Sequence, residues 1–427
     1  MSSMLPNGWS ISTLNDLSSV ITKGTTPTTN GFPYTKSGIK FLRVENISKS
    51  GAILEDDLKF ISQEANNSLR RSQLRSGDLL ISIAGAIGRT ALVEERHLPA
   101  NTNQAVGIVR LVEDGAEKKY IRFSIESPIV DQQIKDMQSG LAQINLNLEQ
   151  LGSVRINLPP RPEQQKIAAI LTSVDEVIES TQAQINKLKD LKTGMMQELL
   201  TKGIGRDGLP HTEFKDSPVG RIPREWEVVN LNSVCNLITK GTTPTTLGFS
   251  YTDSGINFIK VESIVETGVI DKGKFSYICE NANKALSRSI IHAGDILITI
   301  AGATVGKLAI VEEIHTPANT NQALAIVRVD VKRVDRNLVY FWLQSGYVLR
   351  EVANIQTVGA QPNLSLAQIG GLNIILPPIE EQKKIVGVFT SIDAKLKIAS
   401  LKLKASQAIK KALMQDLLTG KVRVKVN

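Results

Sequence analysis

The chain has 427 residues, of which 41% are hydrophobic and 22% are charged, so it is long enough for two to four domains and too apolar to be wholly disordered. The longest apolar stretches, such as residues 79–87, are too short to cross a bilayer. The N-terminal sequence MSSMLPNGWS lacks the charged start and apolar run of a signal peptide. We therefore expect a cytoplasmic protein.

The net charge of +8 is unevenly distributed along the chain. Residues 1–160 carry 17 basic and 16 acidic groups, residues 223–378 carry 13 of each, and residues 161–222 carry 9 of each. Residues 379–427 carry 11 basic and 4 acidic groups. The excess of basic residues weakly indicates nucleic-acid binding, but net charge alone does not identify the two large segments as DNA binders.

The sequence repeats itself with an offset of 217 residues, which becomes 218 after residue 301. The matching segments include 22–29 with 239–246 (TKGTTPTT in both), 77–81 with 294–298 (GDLLI and GDILI), and 99–105 with 317–323 (PANTNQA in both). A period of this length is too long for a solenoid. It predicts a duplicated domain with a duplicated appendage.

The first 150 residues of each repeat predict a mixture of short strands and helices. Aliphatic or β-branched runs bounded by Gly, Pro or Asn indicate strands at residues 79–83, 91–93 and 106–109. A helical pattern follows at residues 120–137 and is interrupted around Pro128. In the second repeat the sequence N-L-S ending at Ser365 is typical of a cap for a short helix through Ile369. The expected fold class is α+β.

Each repeat then continues into a long amphipathic helix that begins after a Pro-Pro pair. Apolar residues recur every three or four positions at Ile167, Ile170, Leu171, Val174, Val177, Ile178, Ile185, Leu188, Leu191, Met195 and Leu199, and at Ile385, Val388, Ile392, Leu396, Ala399, Leu403, Ile409, Leu413 and Leu417. Forty such residues form a helix of roughly 60 Å. Because neither helix would stay ordered alone with its stripe exposed, we expect an antiparallel coiled coil.

These patterns divide the chain into five segments. They are a first domain (1–158), a first spacer helix (159–205), a linker (206–222), a second domain (223–376), and a second spacer helix with the C-terminal tail (377–427). The linker is assigned because its Gly and Pro residues interrupt the sequence without hydrophobic periodicity. Two similar domains on antiparallel helices predict pseudo-twofold symmetry.

The sequence contains no recognisable catalytic or cofactor motif. It has no G-x-x-x-x-G-K-[ST] and no G-x-G-x-x-G that follows a predicted strand, and the glycine pairs Gly85/Gly88 and Gly302/Gly306 are interpreted as hairpin turns, with a phosphate loop as the alternative. The two cysteines lie in no C-x-x-C motif, and we find no histidine with a counterpart in the other repeat. We therefore expect a non-catalytic chain that binds neither metal nor cofactor itself.

Two motifs shared by the repeats offer polar groups to DNA. The Thr hydroxyls, Lys and backbone amides of the TKGTTPTT segments suit phosphates and base edges, while a surface turn capped by its own Thr residues is the alternative. The amides of the NTNQ segments could pair with adenine, and buried hydrogen bonding that fixes a loop is an equally good interpretation. The candidates from these segments are Lys23, Thr25, Thr26, Thr28, Asn101, Asn103, Gln104, Lys240, Thr242, Thr243, Thr245, Asn319, Asn321 and Gln322.

Basic residues give further candidates. Positive charge is kept in both repeats at Arg43 and Lys260 and at Arg89 and Lys307, which fits phosphate contacts, with ordinary solvated surface as the alternative. A cluster of three arginines at positions 70, 71 and 75 is less informative, because the second repeat keeps only Arg288.

The order and spacing of these elements resemble type I restriction-modification specificity subunits. The resemblance rests on L-P-P-x-x-E-Q at 158–164 and 376–382, on M-Q-E-L-L-T at 196–201, on L-L-T-G-K-V-R-V at 417–424, and on the K-G-T, G-D-L-L-I and A-N-T-N-Q elements. It covers nearly the whole chain.

The resemblance implies that each repeat is a target-recognition domain for one half of a bipartite DNA site, with the helices as the spacer. It also implies that two adenine-N6 methyltransferase subunits dock on this chain and that motor-nuclease subunits complete the restriction enzyme. S-adenosylmethionine, ATP and Mg²⁺ would then bind those partners. Independently, DNA readers with twofold symmetry bind half-sites about 34 Å apart, which a spacer of about 60 Å can hold.

Two alternatives from other functional classes stay open at this point. One is a self-contained modification enzyme, against which the missing methyl-donor loop speaks. The other is a stand-alone DNA-binding regulator or scaffold, which would have no methyltransferase or helicase-nuclease encoded beside it.

Overall fold

A computed structural model describes the protein at residues 5–113, 115–138, 145–205, 208–265, 268–302, 304–356 and 363–426. The chain forms two compact units, of which the first comprises residues 1–185 and 398–427 and the second comprises residues 186–397. The division passes through both long helices, so each unit contains one globular domain and a part of each helix. The five segment boundaries drawn from the sequence remain a prediction.

The first globular domain is built from nine short strands and five short helices within the described residues. The strands are β1 (Ser10–Thr13), β2 (Ser18–Lys23), β3 (Ile39–Leu42), β4 (Lys59–Ile61), β5 (Leu79–Ser82), β6 (Thr90–Leu92), β7 (Ala100–Thr102), β8 (Val106–Leu111) and β9 (Arg155–Leu158). The helices are α1 (Leu14–Leu17), α2 (Gln63–Ser68), α3 (Lys118–Ile125), α4 (Pro128–Gln138) and α5 (Leu148–Gly152). The first long helix, α6 (Arg161–Lys202), follows.

After a short hairpin, the second domain repeats this order with two differences: a 3-10 turn (Leu231–Val234) replaces α1, and a two-residue strand (Ile290–Ile291) is added. Its strands are β10 (Phe214–Lys215), β11 (Ile222–Pro223), β12 (Glu227–Asn230), β13 (Cys235–Lys240), β14 (Ile256–Ile259), β15 (Ser276–Ile278), β16 (Ile290–Ile291), β17 (Ile296–Thr299), β18 (Leu308–Ile310), β19 (Ala318–Thr320), β20 (Leu324–Val329) and β21 (Asn373–Leu376). Its helices are α7 (Glu280–Ala285), α8 (Arg336–Leu343), α9 (Gly346–Gln356) and α10 (Leu366–Gly370), and the second long helix is α11 (Ile379–Leu417).

Both domains combine the same three sheets. An antiparallel sheet has the strand order β2-β8-β5-β6 in the first domain and β13-β20-β17-β18 in the second. A mixed sheet pairs β3 with β4 and, in parallel, with β7, and the second domain repeats it as β15-β14-β19-β16. A two-stranded sheet, β1-β9 or β12-β21, joins the start of each domain to the strand before the Pro-Pro pair. The α+β class and the internal duplication are therefore confirmed.

Several predicted elements are confirmed individually. The runs at 79–83, 91–93 and 106–109 correspond to β5, β6 and β8, and the helical pattern at 120–137 is divided into α3 and α4 at Pro128. The glycine pair at 85 and 88 lies in the turn of the antiparallel β5-β6 hairpin. Ser365 caps α10 by accepting a hydrogen bond from the Gln368 amide.

The long helices α6 and α11 run antiparallel within each unit. In the first unit Asp175 of α6 contacts Lys410 of α11, and in the second unit Lys192 contacts Asp393. Later residues of one helix therefore face earlier residues of the other, as antiparallel pairing requires. The lengths of 42 and 39 residues agree with the predicted forty.

Apolar packing joins the helices to the domains. In the first unit, the core contains Ile167 and Leu171 of α6 together with Met414 and Leu417 of α11. Burying an aliphatic side chain of this size contributes roughly 1.5–3 kcal/mol. Three residues assigned to the apolar stripe from the sequence, Val177, Leu191 and Ile409, are instead exposed. Each long helix faces one neighbouring helix and one domain, so its buried face is narrower than the set of apolar positions in its sequence.

The glutamate of each Pro-Pro-x-x-Glu-Gln motif is a buried junction between domain and helix. Glu163 accepts a hydrogen bond from the Trp9 indole and forms a bidentate ion pair with Arg423, with distances of 2.7 and 2.8 Å. In the second unit Glu381 accepts from the indole of Trp226 at 2.9 Å and from the backbone amide of Ile204 at 2.8 Å. Arg423 lies just after the end of α11 and bonds a residue near the start of α6. Ile204 lies just after the end of α6 and bonds a residue near the start of α11. The end of each long helix is therefore fixed to the start of the other.

The segment assigned as a linker contains regular structure in its described part. Strands β10 and β11 pair antiparallel, and Ile222 is buried in the core of the second unit. His211 lies 2.9 Å from Glu381. Within the described residues, the structure contains no helix with the length and apolar character needed to span a bilayer.

Candidate nucleic-acid interface

The TKGTTPTT loop (residues 22–29 and 239–246) follows an edge strand and packs closely on the NTNQ turn (residues 101–104 and 319–322). The Gly24 amide donates to the Val106 carbonyl, and the Thr25 amide donates to the Thr102 carbonyl, both at 3.1 Å. A side chain at Gly24 would collide with the carbonyls of Thr102 and Asn103. The glycine is therefore required for close approach of two backbones, and Gly241 has the same environment.

The loop itself is shaped by a single turn of 3-10 helix. This turn comprises Pro27–Asn30 in the first domain and Pro244–Leu247 in the second, and the glycine that ends it has a φ of 81° in both. Proline fixes the backbone at the start, and glycine allows the left-handed conformation at the end. The turn leaves Thr28 and Thr29 exposed.

A threonine and a glutamine connect the loop to the NTNQ turn. The hydroxyl of Thr26 donates to the side-chain oxygen of Gln104, and Thr243 makes the same hydrogen bond to Gln322. Both glutamines are exposed. In each glutamine the side-chain oxygen is therefore bonded to the threonine, and the side-chain NH₂ group can donate to other partners.

An arginine from the turn after α2 completes the cluster. The guanidinium of Arg71 donates to the hydroxyl of Thr25 at 3.2 Å, and that of Arg288 donates to Thr242 at 3.1 Å. Both arginine side chains are exposed. Sequence reasoning gave this cluster little weight, because only one of three arginines recurs. The structure shows that the recurring one is the arginine that contacts the loop.

The two asparagines at the start of the NTNQ turns are buried. The side-chain amide of Asn101 donates to the Asn66 side chain at 2.9 Å and to the Leu69 carbonyl at 3.2 Å, and its oxygen accepts from the Thr102 amide. Asn319 makes the equivalent bonds. Of the two interpretations drawn from the sequence, this geometry favours buried bonding that fixes a loop, so we leave both asparagines out of the proposed contact surface.

The remaining polar candidates differ in accessibility. Lys23, Lys240, Thr28 and Thr245 are exposed, whereas Asn103 and Asn321 are half-buried. The Asn321 oxygen accepts from the backbone amide of Ala323. The exposed groups are free to approach a ligand, and the half-buried pair helps to shape the turn.

The paired basic residues are partly engaged within each domain. Arg43 lies 3.8 Å from the carboxylate of Asp57, and Arg89 donates to the Ile47 carbonyl at 3.2 Å. Lys260 lies 3.1 Å from Glu262, and both Lys260 and Lys307 are half-buried. These side chains keep their charge but are less free than the exposed lysines of the loops.

Buried ion pairs support the antiparallel sheet beside this surface. Arg110 of β8 binds Asp78 through two bonds of 2.7 Å, and Arg328 of β20 binds Asp295 at 2.8 and 2.7 Å. The hydrogen bonds that Arg328 donates to Asp295 raise the pKa of Arg328 above its usual value. Because each aspartate follows a glycine and precedes a strand, the sequence alone predicts simple turn residues. They do bond the backbone of their own turn, and they also fix the neighbouring strand.

Two histidines occupy equivalent positions, contrary to our expectation that no histidine has a counterpart. The ring nitrogen Nδ1 of His97 accepts from the Glu94 amide at 2.9 Å, and that of His315 accepts from Glu312 at 3.0 Å. Burial lowers the pKa of both imidazoles. Each closes a short turn before β7 or β19, and the change of offset from 217 to 218 concealed the match.

The three segments that form this surface contain few carboxylates. In the first domain, residues 17–44, 65–77 and 98–112 contain no Asp or Glu and carry eight Lys and Arg. In the second domain, the equivalent residues 234–261, 282–294 and 316–330 contain two carboxylates, Asp253 and Asp330, and carry five Lys and Arg. Although each whole domain is nearly neutral, its loop cluster is positively charged, which suits a polyanion.

The described residues hold no group of three or more His, Cys, Asp or Glu side chains placed to bind a metal ion. Burial raises the pKa of the Cys235 thiol to about 12, so this cysteine is protonated near neutral pH. The notable chemistry of the described surface is therefore hydrogen-bond donation and positive charge.

The model of the family described as "Type I restriction modification DNA specificity domain" matches the chain twice, at residues 6–190 and 223–410. These two matches cover most of the chain, which therefore belongs to this family and contains two of its domains. Each match includes one loop cluster and the first part of one long helix.

Individual relatives and solved structures agree with this assignment. The type I restriction enzyme MjaVIII specificity subunit of Methanocaldococcus jannaschii is 29% identical over 312 residues, covering 72% of this chain and 70% of that protein. The EcoKI specificity subunit of Escherichia coli is 20% identical over 409 residues, covering 90% and 81%. The crystal structure of the S subunit of a type I restriction-modification system from M. genitalium superposes with a TM-score of 0.63 at 15% identity, over 97% and 98% of the two chains.

Proposed function

We propose that this chain is the specificity subunit of a type I restriction-modification complex, in which each globular domain binds one half of a bipartite DNA target. The observation that carries the proposal is the duplicated loop cluster. In both domains an exposed arginine, glutamine and lysine surround a threonine loop, and the three segments involved carry more basic than acidic residues.

The chemistry of this cluster fits the major groove of DNA. Arginine and glutamine side chains can bond two atoms of one base edge, and threonine hydroxyls and lysines suit bases and phosphates. The loops are held by backbone hydrogen bonds and by a glycine that permits close packing. A fixed loop loses little conformational entropy on binding, which favours affinity.

The proposal assigns catalysis to partner subunits. Two adenine-N6 methyltransferase subunits would dock on the long helices and the recognition domains, and motor-nuclease subunits would complete the restriction enzyme. S-adenosylmethionine, ATP and Mg²⁺ would bind these partners and not this chain. The family assignment and the double domain match support this division of labour.

The test compares methylation by the isolated chain and by the assembled complex. The purified chain, mixed with S-adenosylmethionine and DNA, is expected to transfer no methyl groups. Adding the partner methyltransferase subunit should give adenine methylation at one bipartite sequence, and the methyltransferase without this chain serves as the control.

Mapping of methylated adenines in the host genome provides the second measurement. One bipartite methylated sequence should disappear when the gene for this chain is deleted and return when it is restored. Methyl transfer by the isolated chain, or an unchanged methylation map in the deletion strain, would contradict the proposal.

A further inference from the structure

The exposed arginine of each loop cluster differs from the other basic residues in how it is held. The guanidinium nitrogen of Arg71 that bonds Thr25 is one of several donors, and within the described residues neither Arg71 nor Arg288 forms an ion pair. By contrast Arg43 and Lys260 each lie near a carboxylate. Most donors of the two cluster arginines therefore remain free for a ligand.

The threonine that holds each arginine is itself fixed. The Thr25 amide bonds the Thr102 carbonyl, and the preceding Gly24 packs against the NTNQ turn. The arginine is consequently oriented before any ligand arrives. An oriented planar guanidinium suits bidentate recognition, whereas the ammonium group of lysine is a compact charge on a flexible stem.

Most basic residues of this region change their identity between the two domains. Arginine is replaced by lysine between Arg43 and Lys260 and between Arg89 and Lys307, which is compatible with contacts that need only charge. Arg70 and Arg75 become Ser287 and His292 in the second copy. Among these exposed or half-buried positions, only Arg71 and Arg288 keep the guanidinium group, together with its threonine partner.

We infer that Arg71 and Arg288 each read a guanine in the major groove, at the same position of the two half-sites, through bidentate bonds to O6 and N7. This pairing is the commonest specific contact between arginine and a base. The inference rests on the proposed function, and it adds the residues and the base that the two half-sites share.

The experiment replaces each arginine by lysine in the full chain assembled with its methyltransferase. Arg71→Lys keeps the positive charge but cannot form the planar pair of bonds. We expect the complex to accept the other bases more readily at one guanine position of one half-site, with discrimination there falling roughly 10- to 100-fold. Arg288→Lys should do the same at the equivalent position of the other half-site.

A matched control is available in the same turn. The side chain of Arg70 bonds the Asn67 carbonyl and is replaced by serine in the second copy, so Arg70→Lys should leave the target unchanged. Thr25→Val tests the support of Arg71. It should weaken discrimination at the same single position as Arg71→Lys, whereas a general contact would change all positions alike.

The readout is methylation of a DNA library randomised at each position of the target. A loss of activity that is equal for all sequences would make Arg71 a phosphate contact and overturn the inference, as would an unchanged sequence preference. If the wild-type complex gives no sequence-specific methylation, the proposed function fails. If the wild-type complex is sequence-specific but Arg71→Lys does not change discrimination at a guanine position, the proposed function stands and only the guanine assignment fails.

Discussion

The ammonium nitrogen of Lys410 lies 2.7 Å from a carboxylate oxygen of Asp175 on the other long helix, inside the first unit. Lys192 and Asp393 are 218 positions away from these residues and repeat the contact at 2.7 Å inside the second unit. Each lysine also lies over a phenylalanine ring of the adjacent domain, Phe123 or Phe341. The same joint therefore links two helices and a domain in both units.

The two joints differ in burial, which predicts different effects on stability. In the first unit Arg122 and Glu126 extend the pair into a network whose side chains are all 13% exposed or less, whereas Asp393 is 37% exposed. Removing one partner of a buried network leaves charges uncompensated in a medium of low polarity. We expect Lys410→Met to lower the free energy of unfolding of the first unit by about 2–3 kcal/mol.

Lys192→Met is the matched substitution and should cost the second unit about 1 kcal/mol or less, because its carboxylate stays partly solvated. The exposed neighbour Lys411→Met controls for the loss of a lysine from α11. Hydrogen exchange in denaturant, followed separately for the two units, measures both. Equal losses for Lys410→Met and Lys411→Met would contradict the burial argument.

The equivalent histidines predict a pH dependence of stability. Burial first, and for His97 the neighbouring Arg96, lowers the folded-state pKa of His97 and His315 below that of the unfolded chain. The unfolded chain then binds protons more readily, so the contribution to stability is present above pH 6.5 and is lost as the pH falls through the folded-state pKa.

Replacing both histidines by asparagine keeps a hydrogen-bond acceptor for the Glu94 and Glu312 amides and removes the titration. The double variant should lose less stability than the wild type between pH 7.5 and pH 5. Urea unfolding at a series of pH values measures this difference. If the free energy of unfolding falls equally with pH in the variant and the wild type, these imidazoles do not cause the loss of stability at acidic pH.

The lysines of α11 predict a sequence-independent contribution to DNA affinity. The sequence predicts that six of them approach the DNA between the half-sites, namely Lys395, Lys397, Lys402, Lys404, Lys410 and Lys411. The structure leaves five of these exposed. The exception is Lys410, whose side chain is only 13% exposed and belongs to the ion-pair network.

Replacing several exposed lysines of this set by glutamine should flatten the dependence of binding on salt, by roughly 0.9 in log–log slope for each lost phosphate contact. Sequence preference should stay the same. Arginine at the same positions keeps the charge and serves as the control. An unchanged salt slope would assign this helix face to a protein partner or to plain solvation.

The spacer hypothesis changes once the joints are considered. If the helices set the distance between half-sites, the sequence alone predicts that a four-residue insertion after Leu191, about 6 Å of helix, lengthens the tolerated gap. In the structure Leu191 lies between Asp175 and Lys192 on α6, so this insertion alone would displace one joint relative to the other. A second insertion of four residues after Ala394, between Asp393 and Lys410 of α11, restores both joints.

We therefore expect the double insertion to shift the preferred gap and to leave the bases of each half-site unchanged. The single insertion should mainly destabilise the chain. Methylation of a target series with different gaps measures the first effect, and thermal unfolding measures the second. A changed half-site with the same gap would refute the role of the helices as a spacer.

The sequence predicted local features well and long-range contacts poorly. The strand β5 and the cap at Ser365 have local signatures, namely an aliphatic run after glycine and a serine three residues before glutamine. The bond between Arg71 and Thr25 joins positions 46 residues apart, and nothing in the local pattern encodes it. Burial of Lys410 was missed for the same reason, since a lysine on a helix is ordinarily solvated.

The last prediction concerns the symmetry of the DNA target. The two domains share the loop cluster, so most base contacts should be the same in the two half-sites, and domains with opposite orientations on the duplex would read them as an inverted repeat. The sequence shows four differences between the domains that could alter the bases read. They are Asn30 and Leu247, Lys36 and Asp253, Lys40 and Asn257, and Asn46 and Ser263.

The structure separates these four differences into two classes. Lys40 and Asn257 each donate to a backbone carbonyl of their own domain, that of Arg96 or His315. Asn46 and Ser263 are buried and accept a bond from the backbone amide three residues earlier. These two differences preserve internal bonds. The other two pairs, Asn30 with Leu247 and Lys36 with Asp253, lie on exposed surface near the loop.

We therefore expect a partly palindromic bipartite target, with several base pairs shared in inverted order and at most a few different. Replacing residues 223–376 by a second copy of the first domain should make the target fully symmetric. The structure predicts that Leu247→Asn with Asp253→Lys achieves most of this change, since aspartate accepts from cytosine and lysine donates to guanine. The matched control, Asn257→Lys with Ser263→Asn, alters only internal bonds and should leave the target unchanged. Mapping methylated adenines for each variant decides the matter: two unrelated half-sites in the wild type would mean that the shared loops are scaffold and that the differing positions read the bases.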